Sequence, residues 1–256
     1  MIQSERLKRL LAAIPELSEY RLQLVDRVVS VFTLPRDYQR SSTSNLISQR
    51  ALEDFGDVLM LHHCFSREPF SKDKFEYALE SVLLVGGGNA QLAPRGQRGY
   101  DIQINGQNFS LKTEAAKAIR PATIHISKFM ELGGGHWSDN PQDLVGLRDQ
   151  FLSALSGIQR ILILRALRKG TPDYCYELVE IPKQLLEKAS TGRLEMMSAS
   201  AQFPKPGYCY VEDQGSISFR LYFDGGGERK LQIKGLKKEL CTIHATWTFA
   251  PPTDTL

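Results

Sequence analysis

No apolar run in this chain of 256 residues approaches the ~20 needed to cross a bilayer, which excludes a membrane-spanning helix. Cysteine is scarce. Cys64, Cys175, Cys209 and Cys241 stand far apart with no CxxC pair, so neither a zinc spacing nor a disulfide framework is present, and reduced core thiols are expected. Histidine offers no HxH or HExxH spacing either. The charge excess is small: +3 does not by itself announce a nucleic-acid partner. Internal repeats, low-complexity segments and clear linkers are missing. Met1 to Arg6 leads into a charged amphipathic pattern rather than a signal peptide, so a cytoplasmic protein without membrane association is expected. What is present, 42% hydrophobic and 24% charged residues, suits one soluble domain over residues 1–256 with a sizeable core.

Helical spacing dominates the first third. Leu7, Leu10, Leu11 and Ile14 recur on one helical face, as do Leu22, Val25, Val28, Val29, Val31 and Phe32 before Pro35. Ser41 to Asn45 reads as a loop or cap ahead of a helix carrying Leu52, Phe55, Val58 and Leu61. Another helix is expected from about Asp73 to Leu84, with Ser71 to Asp73 as caps, so residues 1–84 are mainly helical. Gly86-Gly87-Gly88 opens a loop to Gly99. It lacks a following Gly-Lys-Ser/Thr, so it is a loop rather than a phosphate cradle. Further on, Ala122 to Ile126 reads as a short strand or helix entry, Ser127 to Leu132 as a helical turn, and Pro141 starts an amphipathic helix to about Leu155. Ile161 to Leu164 is a continuous apolar run, as in a strand buried on both faces. Strands are expected at Tyr174 to Ile181, Leu194 to Met197, Tyr208 to Val211, Ser218 to Phe223, Lys230 to Ile233 and Thr242 to Phe249. The class is α/β: helices flank a central mixed sheet borne by residues 100–256.

The chemistry concentrates in one segment. Gly99 to Ile104 and Phe109 to Glu114 are alternating runs joined through Asn105-Gly106, a strong hairpin signal. Strand parity puts Ser110, Lys112 and Glu114 on one face, with Asp101 opening the partner strand. Two carboxylates can hold a divalent cation, and a lysine beside them can orient or activate water for phosphodiester attack. This is the layout of PD-(D/E)xK nucleases, although Tyr100 replaces the usual proline and Ser110 stands where the second acid is expected. The plain alternative is a solvated hairpin with a surface ion pair.

Longer blocks sharpen the reading. His62-His63, Leu111 to Lys117, Met130 to Gly133, Leu178 to Lys183, Pro204 to Tyr208, Leu221 to Gly226 and Glu228 to Lys234 together resemble the SmaI family of type II restriction endonucleases, within the PD-(D/E)xK superfamily. They run in the same order over most of the chain from about Asp57. The resemblance implies a Mg²⁺-dependent homodimer that cuts double-stranded DNA within CCCGGG, leaving blunt ends, and a DNA methyltransferase as genetic partner. It implies Asp101 as the leading metal ligand and Lys112 as the group that positions or deprotonates the water. Glu114 is expected to replace the missing acid, directly or through a metal-bound water. Glu76, on the preceding helix, competes with it, and Glu131 is a weaker third. Leu111 completes the candidate metal positions, and Ser110 the catalytic ones.

Reading a GC palindrome requires Arg or Lys donors for guanine and acceptors for cytosine N4. Asp224, Glu228, Arg229, Lys230 and Lys234 supply both around a glycine-rich turn, and Arg95 and Arg98 lie just before the catalytic strand. Lys117, Lys128, Gln202 and Lys205 extend the expected DNA face. His62 and His63 are expected to sit on strand-like flanks, satisfied in core or loop, with a DNA contact as the sharper alternative. The dimer surface is sought in the N-terminal helices or in the helix from Gln142 to Leu155. Two other readings stay open: a DNA- or RNA-binding module on the same fold, inactive because Ser110 leaves the site an acid short, and a repair or modified-DNA nuclease.

Overall fold

Asn105 and Gly106 both have positive φ, 49° and 80°, as a type I′ turn requires. They join β3 (Ile102–Ile104) to β4 (Gln107–Glu114) in the expected hairpin. The computed structural model describes residues 2–94, 96, 97, 99–116, 119–133, 136–168, 173–213 and 215–250. Within them the hairpin belongs to a seven-stranded mixed sheet. Its order is β1 (Arg36–Arg40), β12 (Thr242–Phe249), β7 (Tyr174–Ile181), β6 (Arg160–Arg168), β4, β3 and β2 (Ala90–Leu92). The β4–β6 pair is parallel and its neighbours are antiparallel.

Helices cover one face. α3 (Gln49–Phe65) and α4 (Lys72–Val85) start at Ser48 and Ser71, whose side chains accept N–H bonds from Ala51 and Lys74. Their apolar stripes, including Leu52, Phe55, Phe75 and Leu79, pack on Leu111, Leu162, Leu164 and Trp247 of the sheet. Gly56 is a close approach: a Cβ there would stand 2.3 Å from the Tyr38 ring and 2.7 Å from that of Trp247. The other face of the sheet, with Ile161, Ile163, Val179 and Ile181, meets α5 (Asp143–Ser156), α6 (Lys183–Glu187) and a second sheet. That sheet runs β5 (Thr123–Glu131), β11 (Lys230–Lys237), β10 (Ser216–Asp224), β9 (Gly207–Asp213) and β8 (Arg193–Met196). The run Ile161 to Leu164 is buried on both sides because it lies between these two apolar layers.

The structure corrects several expectations. The β-rich half forms two packed sheets rather than one. Ser127 to Leu132 is not a helical turn, since Ser127 to Glu131 continues β5. The β5–β11 register shifts there, leaving Ser127 and Lys128 both exposed, and this irregularity breaks the two-residue period. His62 and His63 lie in the last turn of α3, not on strand-like flanks. β1 went unread because Arg36, Asp37, Gln39 and Arg40 are polar and exposed, and β12 recruits them as an edge strand. Short β2 lies inside the expected loop. The two N-terminal helices, α1 (Ile2–Ala13) and α2 (Glu19–Val31), form as the periodicity predicts, but Leu7, Leu10 and Leu11 of α1 face outward, while α2 reaches the core through Val28 and Val31.

Candidate active site

The β3–β4 hairpin and α4 deliver the site. Asp101 precedes β3 and is tied in by its own backbone: its N–H donates to Phe109 O at 2.8 Å. Its Oδ2 accepts the Leu111 N–H at 2.6 Å and the Ser110 hydroxyl at 3.1 Å, and lies 3.6 Å from Lys112 Nζ. Lys112 in turn donates to Ser110 Oγ at 2.8 Å and sits 5.3 Å from the centre of the Phe129 ring. Ser110 therefore links the acid to the amine in the position where the superfamily pattern has a carboxylate. Across the site, Lys72 Nζ lies 2.7 Å from Asp101 Oδ1 and 2.8 Å from Glu76 Oε1.

The electrostatics follow from this packing. Burial alone would raise the Asp101 carboxyl, but the ammonium groups of Lys112 and Lys72 and the Leu111 N–H hold it below the usual carboxylate range. Burial pushes Lys112 down from the ordinary lysine value against the opposing pull of Asp101. For Lys72 the two carboxylates outweigh burial and raise it. Among the described residues no three His, Cys, Asp or Glu side chains gather in one place. Asp101 and Glu76 nevertheless already share one cationic group, so their oxygens converge as a hard divalent cation requires.

Glu114 is where expectation and geometry part. It shares the Lys112 face, yet directly across the strand pair stands Arg165. Arg165 Nε donates to Glu114 Oε2 at 2.5 Å, and the His125 N–H donates to Oε1 at 3.1 Å, so both carboxylate oxygens are engaged away from Asp101. Arg165 is fully buried, also pairs with Glu177, and donates to the carbonyls of Arg120 and Thr123 at 2.9 and 2.7 Å. Glu114 is a structural anion in a buried row, and Glu76 takes the place beside Asp101. Leu111 contributes an N–H to Asp101 while its side chain lies in the core. Glu131 pairs with Lys128 at 2.8 Å, on a strand apart from the Asp101 group.

The expected DNA face is partly assembled. Gly225 packs so tightly on the Pro204 carbonyl that a Cβ would lie 2.1 Å from it, and a Cβ on Gly226 would be 3.7 Å from Gln202 Nε2. The loop with Gln202 and Lys205 thus abuts the turn from Asp224 to Lys230. This turn reaches the end of β5: Arg229 O accepts the Leu132 N–H at 2.7 Å, and Lys230 stands opposite Glu131 in the β5–β11 ladder. Lys128 stands exposed on β5, next in sequence to Phe129, whose ring lies by Lys112. Glu228 and Lys230 form an ion pair at 3.1 Å. Other members are engaged within the protein. Asp224 accepts from the Gly226 N–H at 3.1 Å and Gln232 Nε2 at 3.0 Å, shaping the turn. Lys205 donates to the Ser200 carbonyl. Lys234 lies over the Tyr222 ring at 3.7 Å on the open face of the second sheet. Arg95, Arg98 and Lys117 lie outside the described residues. His63 is a core residue, hydrogen-bonded to the Tyr176 hydroxyl at 2.7 Å and stacked on Tyr174, and His62 meets the Glu68 carbonyl at 2.7 Å.

Sequence reading missed Lys72, Phe129 and Arg165. Lys72 was signalled by its place four residues before Glu76 on one helix face, but Arg165 stands in an apolar run with no local mark.

An acid and an amine on a hairpin of a mixed sheet, joined by a helix carboxylate, define the site class of phosphodiester-cleaving nucleases. Comparison with known proteins agrees. A model of the SmaI family, described as type II site-specific deoxyribonuclease, matches residues 10–249. The type II restriction enzyme SmaI of Serratia marcescens is 42% identical over 226 residues, covering 88% of this chain and 89% of its own. A solved restriction endonuclease in complex with substrate DNA aligns more distantly, with a TM-score of 0.33 and 14% identity over 66% of this chain and 67% of its own. The chain belongs to the SmaI family and is a type II site-specific deoxyribonuclease.

Proposed function

We propose that this deoxyribonuclease hydrolyses both strands of a CCCGGG palindrome with Mg²⁺, leaving blunt ends. In this reading it acts in the cytoplasm as the restriction partner of a DNA methyltransferase. The observation that carries the catalytic part is the gathering about Asp101 of Lys112 at one oxygen and, through Lys72, of Glu76 at the other. Asp101 and Glu76 would hold the ion, which when bound supplies charge neutralisation at the phosphate and lowers the pKa of water. Lys112, fixed by Ser110 and Phe129, is directed at the attacking water, and its lowered pKa suits it to take up a proton there. Ser110 positions that amine in place of the missing acid. The target and the blunt ends rest on the resemblance of the sequence blocks, and the turn from Asp224 to Lys230 with Gln202 and Lys128 is the reading face they favour.

A two-fold target calls for two sites, hence a homodimer. The helix α5 offers its interface no apolar stripe, because Leu144, Leu147, Phe151 and Leu155 are spent in the core. Support falls instead on α1, where Leu7, Leu10 and Leu11 are 54%, 61% and 60% exposed.

The deciding experiment is plasmid digestion with and without Mg²⁺, with the ends mapped, alongside Lys112→Ala. Discrete blunt fragments ending inside CCCGGG are expected from the wild type. The variant should bind the same DNA while its cleavage falls by at least ~10²-fold, the low end for loss of acid–base assistance. Cleavage without metal, or full activity in the variant, refutes the mechanism. Fragments ending elsewhere refute the target alone.

A further inference from the structure

Lys72 and Glu76 stand one turn apart on α4, and the packing of that helix on the sheet turns both toward Asp101. The Lys72 ammonium occupies the point where the two carboxylates meet, 2.7 Å from Asp101 Oδ1 and 2.8 Å from Glu76 Oε1. Two anions held together in a half-buried site repel each other unless a cation lies between them. Lys112 does not fill that role. It approaches Asp101 by the opposite oxygen, and it is 11% exposed and pinned by Ser110 and Phe129. The Lys72 side chain is 39% exposed on a flexible stem, so it can leave for solvent without disturbing the helix.

We infer that Lys72 is a displaceable counter-cation: it holds Asp101 and Glu76 in their ligand positions and must be expelled before a divalent metal can enter. The inference rests on the proposed role of those two carboxylates. Its consequence is a weakened affinity for metal in the absence of DNA, because the incoming ion competes with an ammonium already in place. Without Lys72 the same oxygens would be open.

The test counts bound Mn²⁺, a hard divalent probe, by electron paramagnetic resonance on DNA-free protein. Lys72→Met is expected to bind about five- to thirty-fold more tightly than wild type, the range that release of two partly exposed ion pairs allows. Lys74→Met removes an equal charge from a neighbour that contacts His62 instead, and its affinity should stay at the wild-type value. Asp101→Asn should lose the site. Unchanged or weaker binding by Lys72→Met, with Asp101→Asn still defective, overturns the role of Lys72 and leaves the metal site standing. Equal tightening in Lys74→Met overturns it as well, as a general charge effect. Binding that ignores Asp101→Asn, or no binding in any protein, removes the metal site and this inference together. Lys72→Gln repeats the comparison should methionine loosen α4.

Discussion

His63 illustrates how much a single buried side chain commits the protein to a pH range. Its ring is stacked on Tyr174 and bonded to Tyr176 and the Ser66 carbonyl, and burial pushes its pKa from 6.5 to about 4. The unfolded chain therefore takes up a proton below pH 6.5 that the folded protein refuses until about pH 4. Stability is full above that window and falls as pH drops through it, by up to ~3 kcal/mol. In urea unfolding followed from pH 7 to 4, His63→Gln should start less stable, having lost ring contacts, but should lose less on acidification. A wild-type slope in the variant would place the proton uptake on other groups. The same attention to surroundings separates the acids near the hairpin: Glu76 faces a flexible ammonium, whereas Glu114 faces a buried guanidinium.

That guanidinium organises whole strands. Glu114, Arg165 and Glu177 are register partners on β4, β6 and β7, so one buried cation stitches three neighbouring strands, and its remaining donors hold the segment entering β5. Lys238 donates to the second oxygen of Glu177 at 2.9 Å and closes the row. Arg165→Met would leave Glu114 buried without a cation and Glu177 with Lys238 alone, and should cost ~3–5 kcal/mol. The loss is read from the denaturant midpoint. A change below ~1 kcal/mol would mean that water reaches the row. Because β4 carries Lys112 two residues before Glu114, the anchoring also fixes the Lys112 strand against β5, where Phe129 stands.

Over the whole molecule, the two apolar layers on either face of the large sheet account for most buried side chains, and α1 lies outside both. In the proposed homodimer, a second copy would cover the helix that displays Leu7, Leu10 and Leu11 to solvent. Leu10→Glu combined with Leu11→Glu should therefore shift the protein from dimer to monomer in sedimentation velocity and lower double-strand cleavage in favour of nicking. A dimer that survives this change would have to be built from another surface. Among the described residues no helix is long and apolar enough to cross a membrane.

The sequence by itself determined whatever depends on near neighbours. Asn-Gly demanded positive φ and so the hairpin, serines capped the helices at the expected places, and strand parity put Ser110, Lys112 and Glu114 on a common face. The SmaI-like blocks carried the family for the same reason, being contiguous. Tertiary structure decided what parity cannot express, namely which distant group stands opposite each side chain. Arg165, 51 residues beyond Glu114, withdrew that acid from the site, and α4 supplied Glu76 with its lysine. A carboxylate becomes a ligand or a strut according to the charge packed against it, and that charge comes from another part of the chain.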